Sequence, residues 1–223
     1  FPQALAPEHR TRAIELVQRF GERLRQEGYV GFFEFDVLVD LDDGQVYMGE
    51  VNPRISGASS MTNVTAGAYA DIPLFLFHLL EYIDVDYTID VDEINERWRE
   101  LAAVDVWSQL IMKEPGDDVE RILAAPLTGS YRLNEDGTMT FSQVSHDWHE
   151  IIDDTEAFFL RVYGPGEYRF HGADLGILVT KGRMQTEDGL TKRALEYIKG
   201  IRDLYVSEPI NDDVEIEPLS FVK

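Results

Sequence analysis

Cysteine is absent from the 223-residue chain. Disulfides, thiolate nucleophiles and cysteine-ligated metals are therefore excluded, and the composition suits a reducing compartment, so the expected location is the cytoplasm. Lysine is scarce: five Lys stand beside fifteen Arg, and these 20 cations face 42 Asp and Glu, for a formal net charge of −22. Phosphate contacts need Lys or Arg, so neither a nucleic acid nor an anionic membrane is an expected partner. Long hydrophobic runs are missing too. The longest near-continuous stretch, residues 72–80 with His78 inside it, is far too short to span a bilayer. The beginning, FPQALAPEHR, lacks the basic-then-apolar order of a secretory signal and lacks an initiator Met. The chain is accordingly read as a piece of something longer, or a processed product. What is present suffices for a core. At 44% hydrophobic and 11% aromatic, global disorder is excluded, and the length fits one large or two small domains.

Between Pro7 and Glu27 the apolar residues Ala13, Ile14, Leu16, Val17, Phe20 and Leu24 recur at helical spacing, with Pro7 suited to a helix start and Gly28 to its stop. The run GYVGFFEFDVLVDLDDGQVYMGEVNPRISGASSMTN reads as strand, tight turn, strand, loop. Residues 72–82 read as a buried helix, and 84–100 as an acid-rich solvated helix with its lead-in. From Ala103 onward, β-rich runs such as VDVWSQLIM, TGSYRL, AFFLRVYG and LGILVTKG alternate with turn signals. An amphipathic helix over 190–205 follows, with Leu195, Ile198, Ile201, Arg202 and Tyr205 at its spacing. The expected class is α+β or α/β: an antiparallel sheet with packed helices over 1–102, a β-rich α+β domain over 103–206, and an extended acidic tail over 207–223.

The chemistry concentrates in the first hairpin. Alternation places Phe33, Phe35, Val37 and Val39 on one face of the outgoing strand, and Glu34, Asp36, Leu38 and Asp40 on the other. In the return strand Tyr47, Gly49 and Val51 share a face, opposite Met48, Glu50 and Asn52. A three-residue loop, Asp42-Asp43-Gly44, pairs residues whose numbers sum to 86, with Gly44 supplying the left-handed position. That register sets Asp36 against Glu50 and Glu34 against Asn52. Opposed Cβ atoms lie roughly 4.5–5.5 Å apart, a separation at which like charges destabilise a hairpin. Protonation of one carboxylate offsets this, and so does a divalent cation shared by Asp36, Glu50 and Asn52. All-oxygen donors favour Mg²⁺ or Mn²⁺ over zinc. Arg54, two residues beyond Asn52, is placed for a phosphate or a carboxylate. The same pattern is also that of the polar, solvent-facing side of an ordinary hairpin.

Asp36, a turn, and then Glu50-Val-Asn52-Pro-Arg54 resembles the metal signature of the ATP-grasp superfamily, in which a strand acid is followed by E-x-N-x-R on the next strand. The resemblance implies that Asp36, Glu50 and Asn52 hold Mg²⁺ (or Mn²⁺) against the phosphates of ATP, and that Arg54 contacts phosphate or substrate. The order VDVWSQLIMK, AAPLTGSYRL, EAFFLRVYGPGEY, DLGILVTKGRM and a last helix resembles the C-terminal domain of biotin carboxylases. Most of residues 7–205 are covered in this way. Two departures stand out. Biotin carboxylases continue E-x-N-x-R as x-x-x-E, and that Glu acts on bicarbonate as a base; here the position is Ala58, which takes no proton. The family's nucleotide lobe, with its lysine and Gly-rich loop, would precede Pro7, and no G-x-x-x-x-G-K-[ST] occurs.

The resemblance thus implies the back portion of a ligase that activates a small carboxylate with ATP. Its partner would be a missing N-terminal lobe of the same enzyme, a homodimer is possible, and the chain alone would be inactive. An authentic biotin-dependent carboxylase component and a non-catalytic dimerisation or docking module are the alternatives. The small-residue loop Ser56, Gly57, Ser59, Ser60, Thr62 and Asn63 reads equally as a substrate-pocket lining or a polar connection. His146 and His149 around Trp148, and His171 near Asp174, Lys181 and Arg183, read as turn or structural residues, because a zinc site needs three or four ligands. His78 reads as a hydrogen-bonded core histidine.

Overall fold

A computed structural model describes residues 5–57, 59, 74–186 and 188–210. Two compact units divide the chain, residues 1–106 and 107–223. Every strand pairing described is antiparallel, so of the two classes the sequence allowed, the fold is α+β.

In the first unit α1 spans Pro7–Gln26, with proline in its first turn, where no backbone N–H is needed. It ends at Gly28, whose φ of 83° takes the left-handed conformation that a following side chain would resist. Ala13 is buried, and Phe20 packs on Phe33 and Phe35 with ring centroids 5.9 and 5.3 Å apart. These aromatics come from the apolar face of the hairpin, β1 (Glu34–Val39) and β2 (Val46–Asn52). Arg12 Nη1 donates to the Gly44 carbonyl at 2.9 Å, tying the helix to the hairpin tip.

Two further helices follow, α2 (Leu74–Tyr82) and α3 (Val91–Val104). The α2 helix is less covered than its apolar sequence predicts. None of its residues is buried, and Leu76, Leu79 and Tyr82 are exposed. Its apolar residues run all round, whereas its described ring contacts are few: Phe75 meets Phe32, Phe77 stacks on Tyr87, and His78 packs on Tyr82. His78 Nδ1 accepts the Phe32 N–H at 3.0 Å, a hydrogen-bonded histidine at a half-buried position. As expected for a solvated helix, α3 buries only Ile94; Asp90 caps it by accepting the Glu93 N–H at 3.0 Å.

The second unit is built on a five-stranded sheet, in spatial order β3 (Trp107–Lys113), β9 (Asp174–Lys181), β7 (Glu156–Arg161), β5 (Gly129–Leu133) and β6 (Met139–Gln143). Three more strands form a second sheet, β12 (Val206–Pro209), β4 (Glu120–Ala124) and β8 (Tyr168–Arg169). A short ladder joins β10 (Gln185–Thr186) to β11 (Gly189–Leu190). The start of the sequence's acidic tail thus belongs to a sheet: Ser207, Glu208 and Pro209 pair with Ile122, Arg121 and Glu120.

The closing helix, α4 (Lys192–Arg202), is capped by Thr191, whose hydroxyl accepts the Ala194 N–H at 3.1 Å. Its inner face is Ala194, Tyr197, Gly200 and Ile201. The face read from the sequence was set slightly off, since Leu195 is exposed. Tyr197, Tyr131 and Tyr205 are buried phenols with partners in the backbone, the carbonyls of Asp154, Leu127 and Leu175. Burial pushes the Tyr131 and Tyr197 hydroxyls up to about 12 and Tyr205 upward as well. They stay neutral donors, as buried polar groups must be when satisfied.

Candidate functional site

The hairpin places its acids through an irregular register. Asp36 lies opposite Glu50, Phe35 opposite Val51 and Glu34 opposite Asn52. The turn is not the three-residue loop read from the sequence. Asp40 and Gln45 close it (Asp40 N–H to Gln45 carbonyl, 2.9 Å), so Leu41, Asp42, Asp43 and Gly44 form a four-residue loop. Two aspartates stabilise this longer loop by accepting backbone amides within it: Asp40 from Asp42 and Asp43 from Gln45, both at 2.8 Å. Gly44 has φ 68°, and a Cβ there would meet the His9 ring at 2.9 Å.

Beyond the turn Val37 pairs with Met48 and Leu38 with Tyr47, a sum of 85 rather than 86. An irregularity between Asp36 and Val37 leaves Gly49 as the extra residue and restores the register at the acidic end. Glycine suits that position, because a Cβ would sit 3.2 Å from the Asp36 carbonyl oxygen and 3.2 Å from Leu38 Cγ. Face membership changes near the turn as a result. Tyr47 shares the face of Leu38 and the acids, and Met48 pairs across to Val37 on the other side.

Asp36, Glu50 and Arg54 are exposed and Asn52 is half-buried. Arg54 Nη1 donates to the adjacent Ile55 carbonyl at 3.2 Å. The donor set is all oxygen, as a hard divalent cation requires. Among the described residues no group of three or more His, Cys, Asp or Glu side chains comes together as a metal cage. Such a cage is not what Mg²⁺ needs, since it binds through one or two carboxylates and takes its other ligands from phosphates and water. Two opposed carboxylates with a neighbouring amide fit that requirement.

Glu34, which is not among the ligands that the hairpin pattern predicts, is the most elaborately held acid in the hairpin. Ser56 Oγ donates to Glu34 Oε2 and Ser59 Oγ to Oε1. Ser59 is fully buried. The Ser56 N–H donates to Ser59 Oγ at 2.8 Å, and the Ser59 N–H returns to the Ser56 carbonyl at 3.2 Å. Parity signalled Glu34, because it shares the face of Asp36 and opposes Asn52. No local pattern announced the serines, which reach back over more than twenty residues. Ala58, Ser60, Thr62 and Asn63 lie outside the described residues.

His149 and His171 form local ties. Trp148–Glu150 is a single 3-10 turn capped by Asp147. The His149 ring stacks on Trp148, and its Nδ1 lies 2.6 Å from Asp147 Oδ1. His171 Nδ1 approaches the Pro115 carbonyl at 3.3 Å and Asp117 at 3.4 Å. Asp174 pairs with Lys113 at 2.6 Å, and Lys181 sits over the Trp107 ring at 5.2 Å. No described helix is long and apolar enough to cross a membrane.

Antiparallel sheets with packed helices define an α+β architecture. N5-carboxyaminoimidazole ribonucleotide synthetase from Thermotoga maritima, an ATP-grasp enzyme, is similar in structure, with a TM-score of 0.51 at 12% sequence identity over 92% of this chain. The chain spans 44% of the synthetase's length. No family model matches the sequence, and no curated protein matches it.

Proposed function

We propose that the hairpin is the metal end of an ATP-grasp ligase site, which activates a small-molecule carboxylate with ATP and Mg²⁺ (or Mn²⁺). The observation that carries this reading is the pairing of Asp36 with Glu50 and of Glu34 with Asn52 on one accessible face, with Arg54 just beyond. The likeness in fold to an ATP-grasp synthetase supports it.

In this reading Asp36, Glu50 and Asn52 would hold the cation, which would supply neutralisation of charge at the transferring phosphoryl group. Arg54 steadies the phosphate or orients the acid to be activated. An oxygen of the substrate carboxylate attacks the γ-phosphorus, and ADP leaves with the electrons of the broken P–O bond. An amine or thiol acceptor then displaces phosphate from the acyl-phosphate. The nucleotide lobe, with its lysine and Gly-rich loop, comes from elsewhere in the complete cytoplasmic enzyme, so these 223 residues alone do not turn over.

The test is ADP release by the complete enzyme with a panel of carboxylates and acceptors. Glu50→Gln is expected to lower kcat by roughly two orders of magnitude. Full activity in that variant, or nucleotide hydrolysis by the 223-residue chain alone, overturns the assignment. ADP release that requires bicarbonate and biotin identifies a biotin-dependent carboxylase component instead. Self-association with no nucleotide binding identifies a docking module.

A further inference from the structure

Arg54 sits in a short segment whose two ends are anchored to one residue. Asn52 is paired to Glu34 through the β1–β2 ladder. Ser56 and Ser59, beyond Arg54, grip both oxygens of the Glu34 carboxylate. The two serines also bind each other, with the Ser56 amide on Ser59 Oγ and the Ser59 amide on the Ser56 carbonyl. Pro53 removes one further degree of freedom between the anchors.

Given the phosphate or carboxylate role proposed for Arg54, we propose that Ser56, Ser59 and Glu34 form a clamp that positions Arg54 for its anion. An exposed arginine on an open loop loses rotamer and backbone freedom when it binds, which weakens the contact. Pinning the loop at both ends removes part of that loss before the ligand arrives. Charge-assisted O–H···carboxylate bonds are among the stronger hydrogen bonds, and Ser59 is fully buried, so the anchor is shielded from competing water. Each carboxylate oxygen has two acceptor directions, so Glu34 can hold the serines and still accept a water or cation on its other lone pairs. The serines act through Arg54 and touch no reacting atom, which makes them positioning residues.

The experiment is a double-mutant cycle read by binding of Mn²⁺ with ATP, followed by electron paramagnetic resonance of free Mn²⁺, on the chain and on the complete enzyme. Ser56→Ala with Ser59→Ala is expected to weaken binding about tenfold, as loss of a supporting shell does at metal sites. In an Arg54→Ala background the same pair of substitutions is expected to change nothing further. Ser56→Thr, which keeps a hydroxyl, is expected to retain wild-type affinity. If Ser59→Ala unfolds by circular dichroism, Ser56→Ala alone completes the cycle.

Wild-type affinity in the double serine variant, or equal weakening in both backgrounds, overturns the clamp while Glu50→Gln still reports on the site. Absence of Mn²⁺–ATP binding by the wild-type complete enzyme, or indifference to Glu50→Gln, removes the site reading and the clamp with it.

Discussion

The two units spend their apolar residues differently. In residues 1–106, Ala13 and Ile94 are the only buried hydrophobics among the described residues. Residues 107–223 hold one continuous cluster that runs from Met112 and Ile122 through Tyr131, Phe159, Leu175 and Leu178 to Tyr197, Ile201 and Tyr205. Among its described residues the first unit leaves most aromatics half-covered, Tyr47 and Tyr82 exposed, and most of its acids open to solvent. The second closes five strands over a helix. Accessible ligands and a dense core place opposite demands on side chains, and here the demands are met in separate stretches of chain.

The sharpest way to break this contrast is to cut one aromatic from each unit. Phe159 is fully buried, whereas Phe20 is half-buried against Phe33 and Phe35. Phe159→Ala is expected to cost about 3–5 kcal/mol in urea unfolding, with Phe20→Ala costing distinctly less. Equal losses would show that the first unit has as firm a core as the second.

Acid separates the units next. Glu120 accepts from Ser207 Oγ and from Arg169 Nε and Nη2, which binds β12 to β4 and β8. Hydrogen bonding from Ser207 first, and then from Arg169, holds the Glu120 carboxyl below its usual range. A depressed carboxyl stabilises the fold fully above its unfolded pKa, near 4.3, and that stabilisation disappears as pH falls through the lowered folded value. Amide protection across β12, corrected for the intrinsic exchange rate at each pH, is therefore expected to fall below pH of about 4. Glu120→Gln should exchange faster at neutral pH and show a flatter acid response. An unchanged profile would place the acid sensitivity elsewhere.

The smallest effect belongs to the surface of α1. Hydrogen bonds from Arg25, and then from Gln26, lower the Glu22 carboxyl to about 2. Both partners are solvent-exposed, so Arg25→Ala should raise the Glu22 titration midpoint in NMR toward its ordinary value and leave the melting temperature where it was. A clear drop in melting temperature would mean that α1 depends on its surface pairs for want of a core.

The legibility of the fold followed the length scale of the interactions. Periodicity alone located α1, the first hairpin, the five strands β3, β5, β6, β7 and β9 and the closing helix, because amphipathic patterns record burial residue by residue, but it passed over the shorter strands β4, β8, β10, β11 and β12. It placed the inner face of α4 slightly wrong, since Ala194 and Gly200 face the core without being large apolar residues. It predicted a buried helix over 72–82, where the described helix Leu74–Tyr82 leaves Leu79 exposed. Hydrophobicity states what a helix can bury, and packing decides whether anything covers it.

At the candidate site, parity and spacing alone set Asp36 against Glu50 and Glu34 against Asn52. The structure reaches the same pairing by another route, a four-residue turn compensated by an extra residue at Gly49. Two changes of one residue cancel along a hairpin, and local sequence does not distinguish that pair from none. The serine clamp on Glu34 lay beyond any such reading. The serines lie more than twenty residues from Glu34, and only the return of the chain after Arg54 brings their hydroxyls to the carboxylate. Alternation along a strand is set by covalent geometry, so the sequence determined by itself which acids share a face. Which side chains come to hold those acids depends on where a loop folds back, and that the tertiary structure alone decided.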